Sequence, residues 1–131
     1  VLLFPSADAQ SAETVDWSTI KQIIVIDGTW RQAKAMSQSN ALKDIKRVKL
    51  SGDNQTLFWR YQPHGPHCLS TIEAIRAIYR ERAVALQEDA QAFDNLLWFF
   101  VHQYEMIQAD YRNNPDRHFT SRHRSDYIQR K

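Results

Sequence analysis

The chain has little of what disulfide scaffolds, fibres and flexible linkers are made of. It holds one cysteine, three glycines and four prolines in 131 residues. A single Cys68 excludes an intrachain disulfide and a cysteine-rich zinc site, and it fits a reducing compartment. So few glycines and prolines exclude long flexible linkers. The longest strongly apolar run, residues 96–101, is far too short to cross a bilayer, which argues against a membrane protein. Residues 1–5 have neither a basic n-region nor a long apolar h-region, so they do not read as a signal peptide. The chain opens without Met, directly in an apolar stretch, and reads as a piece of a longer protein.

What is present suits one folded domain. Apolar residues make up 43%, enough for a single core at this length. The net charge of +2 hides an asymmetry. Residues 112–131 hold six Lys/Arg against two Asp, and the remainder is slightly acidic. A basic tail of this kind binds phosphates through counterion release, or is simply a solvated terminus.

The most informative run is Ile23-Ile24-Val25-Ile26-Asp27-Gly28-Thr29-Trp30. Four aliphatic residues in a row read as a strand over 21–26, buried on both faces as parallel sheets require. Open α/β sheets keep their ligands beyond the carboxyl ends of such strands. Residues 1–4 and 47–50 read as further strands, and 57–61 as another. Residues 6–14 read as a loop, and Trp17 with Ile20 as a short helical turn. Ala33, Ala35 and Met36 favour a helix starting at Trp30. Ser70-x-x-Glu73 has the form of a capping box and predicts a helix to about Leu86, with Ile72, Ile75, Tyr79, Ala83 and Leu86 on one face. Phe93, Leu97, Phe100, Tyr104, Ile107 and Tyr111 give a second helix at spacings of three and four. Leu96, Trp98 and Phe99 widen its apolar face, so it is expected to be well buried. Alternating strands and helices argue an α/β fold.

Read from the residues alone, each candidate keeps a bland alternative. Asp27 is a general base or the cap of the following helix. Gly28 lets the backbone approach a ligand or serves a tight turn. Thr29 bonds a ligand or caps, and Trp30 stacks on a base or packs in the core. Leu69, Ser70 and Thr71 open a helix whose free N–H groups favour a carboxylate, although capping alone explains Ser70 and Glu73. Arg60 holds a carboxylate or phosphate bidentately, or forms a surface ion pair, with Gln62 and Pro63 shaping its loop. His64-x-x-His67-Cys68 supplies three ligand types in a loop with two prolines, too few for a structural zinc, so no metal is assigned. Arg117, Arg122 and Arg124 interleave with Phe119 and Tyr127, a mixture that suits looped RNA.

Three segments occur in order: Leu3-Phe4-Pro5-Ser6, Asp27-Gly28-Thr29-Trp30, and Arg60-x-Gln62-Pro63 followed by Leu69-Ser70-Thr71-Ile72-Glu73-Ala74. Together they resemble the DTW-domain family, named for its Asp-x-Thr-Trp motif, over residues 1–107. Phe58-Trp59-Arg60, the 69–75 segment and Asp94-Asn95-Leu96-Leu97 look most like the first of the two eukaryotic branches of that family. The resemblance implies an S-adenosylmethionine-dependent tRNA-uridine aminocarboxypropyltransferase. It implies a SPOUT-like α/β fold, a parallel sheet flanked by helices with a deep trefoil knot. The N-terminal cysteine cluster and first strands of the family domain are absent before Val1. Residues 1–111 would then be the C-terminal portion of the transferase domain, with 112–131 a basic tail. By the same resemblance Asp27, Thr29 and Trp30 are catalytic. Phe4, Pro5, Ser6, Asp27, Gly28, Leu69, Ser70 and Thr71 hold the cofactor, and Arg60 and Gln62 hold tRNA. Arg117, Arg122 and Arg124 lie outside the resemblance and are expected to bind RNA on the charge and aromatic pattern of the tail alone. A SPOUT-like RNA methyltransferase and a non-catalytic RNA-binding remnant stay open as alternatives. SPOUT-like proteins often dimerise, and the substrate class points to nucleus or cytoplasm.

Overall fold

The computed structural model describes residues 1–58 and 65–117. Four short strands form one parallel sheet: β1 (Leu2–Leu3), β2 (Gln10–Ser11), β3 (Ile24–Val25) and β4 (Arg47–Lys49). Their spatial order is β2-β4-β1-β3. Leu2 pairs with Ile24 on one side and Arg47 on the other, and Gln10 pairs with Val48. Three α-helices accompany the sheet: α1 (Trp30–Ser37), α2 (Thr71–Leu86) and α3 (Trp98–Asn113). Short 3-10 turns occupy Ala12–Thr14, Trp17–Thr19 and Ala90–Leu97. Parallel strands joined by crossovers are the α/β architecture that the alternating pattern predicts.

The pleat sends alternate residues to opposite faces. Leu3 and Val48 turn to one side, where Ala12, Val15, Trp17 and the α2 residue Ile78 complete a cluster. Trp17 is buried there and its indole N–H donates to the Ala12 carbonyl at 2.8 Å. Leu2 and Phe4 turn to the other side and meet Ala33 of α1, with Leu42 and Ile45 packed around them. Val48 and Ile78 are fully excluded from solvent and mark the centre of the larger cluster.

Several expectations need correction. The 21–26 run pairs only at Ile24 and Val25, and Ile23 to Ile26 are half-buried rather than fully enclosed. The reason is topological: β3 is the sheet edge and has β1 as its sole partner among the described residues. The 6–14 loop carries β2 and a 3-10 turn. Leu57 and Phe58 are not in a strand, and residues 59–61 of that expected strand lie outside the described residues. Helix α2 keeps the predicted bounds, but its most buried positions are Glu73, Ala77, Ile78 and Ala83. Covered by the 12–19 segment on one side and by the 90–97 segment on another, it has no single wet face. The second long helix starts at Trp98, not Phe93, and its aromatic N-terminus is outside: Trp98 is 58% and Phe99 79% exposed.

Candidate functional site

Chain direction brings the ends of β1 and β3 and the start of α2 together. Beyond β3, Asp27 is exposed and Gly28 turns the backbone. Gly28 has φ +156°, and a Cβ there would meet Met36 Cε at 3.3 Å, so a side chain would crowd α1. Thr29 is the N-cap of α1. Its N–H donates to Gln32 Oε1 at 2.9 Å, its hydroxyl to the same oxygen at 2.7 Å, and it accepts from the Gln32 N–H at 3.4 Å. This capping box settles the choice between Asp27 and Thr29 as cap. The Asp27 carboxylate is therefore available for something else.

It meets the start of α2. The Thr71 hydroxyl donates to Asp27 Oδ1 at 2.6 Å, joining residues 44 apart in sequence. Burial pushes the Cys68 thiol up in pKa, and a hydrogen bond from the Trp30 side chain partly offsets that rise. The Thr71–Asp27 hydrogen bond thus holds the Asp27–Trp30 turn to the 68–71 loop.

Glu73 fixes the 68–71 loop from below. Its buried carboxylate accepts the Thr56 hydroxyl at 2.7 Å, the Leu57 N–H at 2.7 Å, the Ser70 N–H at 2.8 Å and the Ser70 hydroxyl at 2.7 Å. Four donors compensate the desolvation that burying a carboxylate costs. The sequence identifies Glu73 only as the capping partner of Ser70. Its hold on Thr56 and Leu57 has no signature in local spacing. Ser70 is committed to Glu73, while Leu69 is half-buried beside it.

On the sheet side of Trp30 lies a cleft of about 520 Å³. Phe4, Pro5, Ser6 and Trp30 line it together with Arg31, Lys34, Gln38 and Arg47. The Phe4 and Trp30 rings are tilted, with centroids 6.5 Å apart. The Arg47 guanidinium sits 5.8 Å from the Phe4 ring centroid and donates to the Ser37 carbonyl at 3.0 Å. Asp8 approaches it only to 4.0 Å. The Ser6 hydroxyl oxygen is buried with no partner at hydrogen-bond geometry among the described residues. It is close enough to the Asp8 carboxyl to hold that group below its ordinary pKa, with Arg47 a smaller contributor.

The remaining candidates are scattered. Phe4, Pro5 and Ser6 line the cleft, whereas Asp27 and Thr71 form the hydrogen-bonded lip that Trp30 connects to it. Arg117 is engaged by the Asp110 carboxylate and lies 5.2 Å from the Tyr111 ring centroid. Arg60, Gln62, Arg122 and Arg124 lie outside the described residues. Sequence reasoning passed over Arg31, Lys34 and Arg47 altogether. The helical spacing of Arg31 and Lys34 was a readable signal that they share a face. The arrival of Arg47 from β4 was not.

Comparison with known proteins agrees with these motifs. A family model described as the DTW domain matches residues 1–108. The rat protein named tRNA-uridine aminocarboxypropyltransferase 1 is 35% identical over 97 residues, covering 72% of this chain and 32% of the rat protein. The Xenopus laevis protein of the same name is 36% identical over 110 residues, covering 79% of this chain and 38% of its own length. Drosophila melanogaster tRNA-uridine aminocarboxypropyltransferase 2 is 42% identical over 76 residues, or 56% of this chain and 30% of that protein. The chain spans about a third of the length of the curated relatives it matches. No solved structure matches it.

Proposed function

The chain belongs to the DTW-domain family, and from that premise we propose that it carries the reaction centre of a tRNA-uridine aminocarboxypropyltransferase. The reaction forms a bond from uridine N3 to the propyl carbon of S-adenosylmethionine. The carbon–sulfur bond breaks with its electron pair on sulfur, 5′-methylthioadenosine leaves, and the N3 proton is lost. The observation that carries this reading is the Asp27–Thr71 hydrogen bond at 2.6 Å between two separate family motifs.

The residues present fit such a donor. It carries a sulfonium and an ammonium against one carboxylate, a net positive charge, and Asp27 offers an exposed carboxylate to it. Gly28 leaves room for backbone approach, and α2 turns its first N–H groups toward the same loop. When bound, S-adenosylmethionine supplies an electrophilic propyl carbon beside a neutral leaving group.

The protein's own part is proton removal and orientation. Uridine N3 is a poor nucleophile until its proton leaves. Thr71 occupies one oxygen of Asp27 and so fixes the carboxylate plane, leaving the second oxygen to accept the N3 proton. The cap on α1 fixes Thr29, and Trp30 follows it as the first residue of α1. Positioning by rigid helix starts is what selects the propyl carbon over the methyl. A SPOUT-like knot belongs to the same proposal, with the 68–71 loop and the Asp27–Trp30 turn as two of its three cofactor loops.

The test uses unmodified tRNA and S-adenosylmethionine labelled in its carboxylate carbon. Label in RNA with release of methylthioadenosine is expected. Asp27→Asn should lower the rate about 10²- to 10⁴-fold, the usual contribution of a positioned base. Formation of S-adenosylhomocysteine instead would overturn the reaction, and an unchanged Asp27→Asn rate would remove Asp27 from it.

A further inference from the structure

We propose that α1, the turn after it and β4 form a platform for the phosphate backbone of tRNA, which takes the RNA by charge and not by base. This rests on the transferase reading and gives that substrate a bearing surface outside the donor site.

Charge is distributed unevenly along the chain. Residues 31–49 hold six of its seventeen Lys/Arg and one of its fifteen Asp/Glu. The cations are Arg31, Lys34, Lys43, Lys46, Arg47 and Lys49, and the acid is Asp44. The fold gathers them in one layer. Arg31, Lys34 and Arg47 line the same cleft. Arg47 reaches α1 from β4 by donating to the Ser37 carbonyl at 3.0 Å. Lys49 stands two residues further along β4, so the pleat sends it to the face of Arg47, while Val48 joins the opposite cluster. Leu42 and Ile45 pack inward against Leu2, Phe4 and Ala33, and Lys43 and Lys46, next to them in sequence, are exposed.

The two faces of the sheet treat cations in opposite ways. On the α2 side, Arg76 and Arg80 share Asp94, and Arg82 pairs with Glu88. On the α1 side, five of the six cations are exposed and make no ion pair among the described residues. The sixth, Arg47, has Asp8 at 4.0 Å. Arg31 also sits in the first turn of α1, which carries no acid. A cation there opposes the helix dipole, and clustered cations repel one another. A polyanion relieves both costs, and its counterion release adds affinity. The same field repels a donor of net positive charge. Arg31 follows Asp27 by four residues, so a polynucleotide on the platform runs past the Asp27 lip. That continuity selects RNA over an anionic membrane as the polyanion.

The test is binding of fluorescein-labelled unmodified tRNA, followed by anisotropy against salt concentration. It compares the wild type with the triple variant Lys43→Ala, Lys46→Ala and Lys49→Ala, its fold checked by circular dichroism. Loss of three phosphate contacts should weaken binding about tenfold or more and lower the salt slope by about 2 to 3, at about 0.7 to 0.9 per contact. An RNA hairpin of unrelated sequence should lose as much, because phosphates carry no sequence. Arginine at the three positions should keep the slope. The control Arg82→Ala with Arg112→Ala should leave it unchanged, and S-adenosylmethionine affinity, read by calorimetry, should not move in the triple variant. An unchanged tRNA affinity and slope in the triple variant overturns the proposal. So does an equal loss per charge in the control, which would make net charge the cause. So does a wild type that binds phosphatidylserine vesicles and has no affinity for tRNA. Label transfer separates the platform from the reaction. Transfer with an unchanged tRNA KM in the triple variant sinks the platform alone. Binding lost as expected, without transfer by the wild type, sinks the reaction alone.

Discussion

Helices α2 and α3 are both sixteen residues long, and they show that apolar content and burial are separate properties. α2 buries a glutamate and carries the site at its first turn. α3 begins Trp-Phe-Phe-Val and leaves Trp98, Phe99 and Met106 largely in solvent. The difference lies in what each helix lies against. α2 packs on the sheet cluster through Ile78 and is fastened by two carboxylates. Glu73 grips Thr56 and Leu57, and Glu81 takes the N–H groups of Ser51 and Gly52 at 2.9 and 3.2 Å, just beyond β4. Among the described residues, α3 packs on the 90–97 segment and, through Phe100, on Phe58, and none of its residues belongs to either sheet cluster. The Asp27–Thr71 pair sits at the start of the fastened helix, which gives the proposed chemistry the firm placement it needs.

The strongest way to break that contrast is to release α2 at its start. Glu73→Ala leaves the Thr56 hydroxyl and the Leu57 N–H without their acceptor in a dry setting. The expected cost is about 4 kcal/mol of stability, as several charge-assisted bonds go at once. Urea unfolding followed by far-UV circular dichroism measures it. A loss under 1 kcal/mol would mean that the clamp is ornamental and that the placement of Thr71 has another source.

A paired substitution sharpens the comparison directly. Ile78 is fully buried in α2, so Ile78→Ala should cost about 3 kcal/mol through lost transfer energy and an unfilled cavity. Phe99 is 79% exposed in α3, so Phe99→Ala should stay within about 0.5 kcal/mol despite removing the larger side chain. Equal costs at the two positions would show that α3 is packed as firmly as α2.

How far the sequence carries this follows the same line. Local signals were readable: the capping box at Ser70 and Glu73, the end of α2 at Leu86, and the strand expected over 47–50, which forms at Arg47–Lys49. They depend on neighbours within a turn. The contacts that make the site do not. Thr71 reaches Asp27 across 44 residues, and Arg47 reaches α1 from another strand. Spacing holds no record of such meetings. The motif match nevertheless brought Asp27 and Thr71 into one site, because the family pattern carries three-dimensional proximity that periodicity lacks. Of the last helical stretch, the face from Phe93 to Tyr111 is half-buried to buried as its spacing implies, and the burial expected of Leu96, Trp98 and Phe99 fails for a related reason. A wide apolar stripe says that a helix can be buried, not which surface covers it.

The subtlest test addresses the joint between the two helices. Asp94, in the 90–97 turn, accepts from Arg80 at 2.6 Å and from Arg76 at 2.7 Å, both on α2. Arg80 first, then Arg76, holds the Asp94 carboxyl below its ordinary pKa. A carboxyl whose folded pKa lies below its unfolded one contributes stability at every pH above the unfolded value. That contribution fades as pH falls through the lowered folded value. Asp94→Asn should therefore shift the urea midpoint down near neutral pH. The gap from wild type should narrow below the ordinary carboxylate range and close once both forms are uncharged. The pair is partly solvated, so this is the smallest of the effects. Salt should shrink it further. A gap that persists unchanged into strong acid would mean that Asp94 joins α2 to the following helix by shape rather than by charge. The looser hold on α3 would then owe nothing to electrostatics.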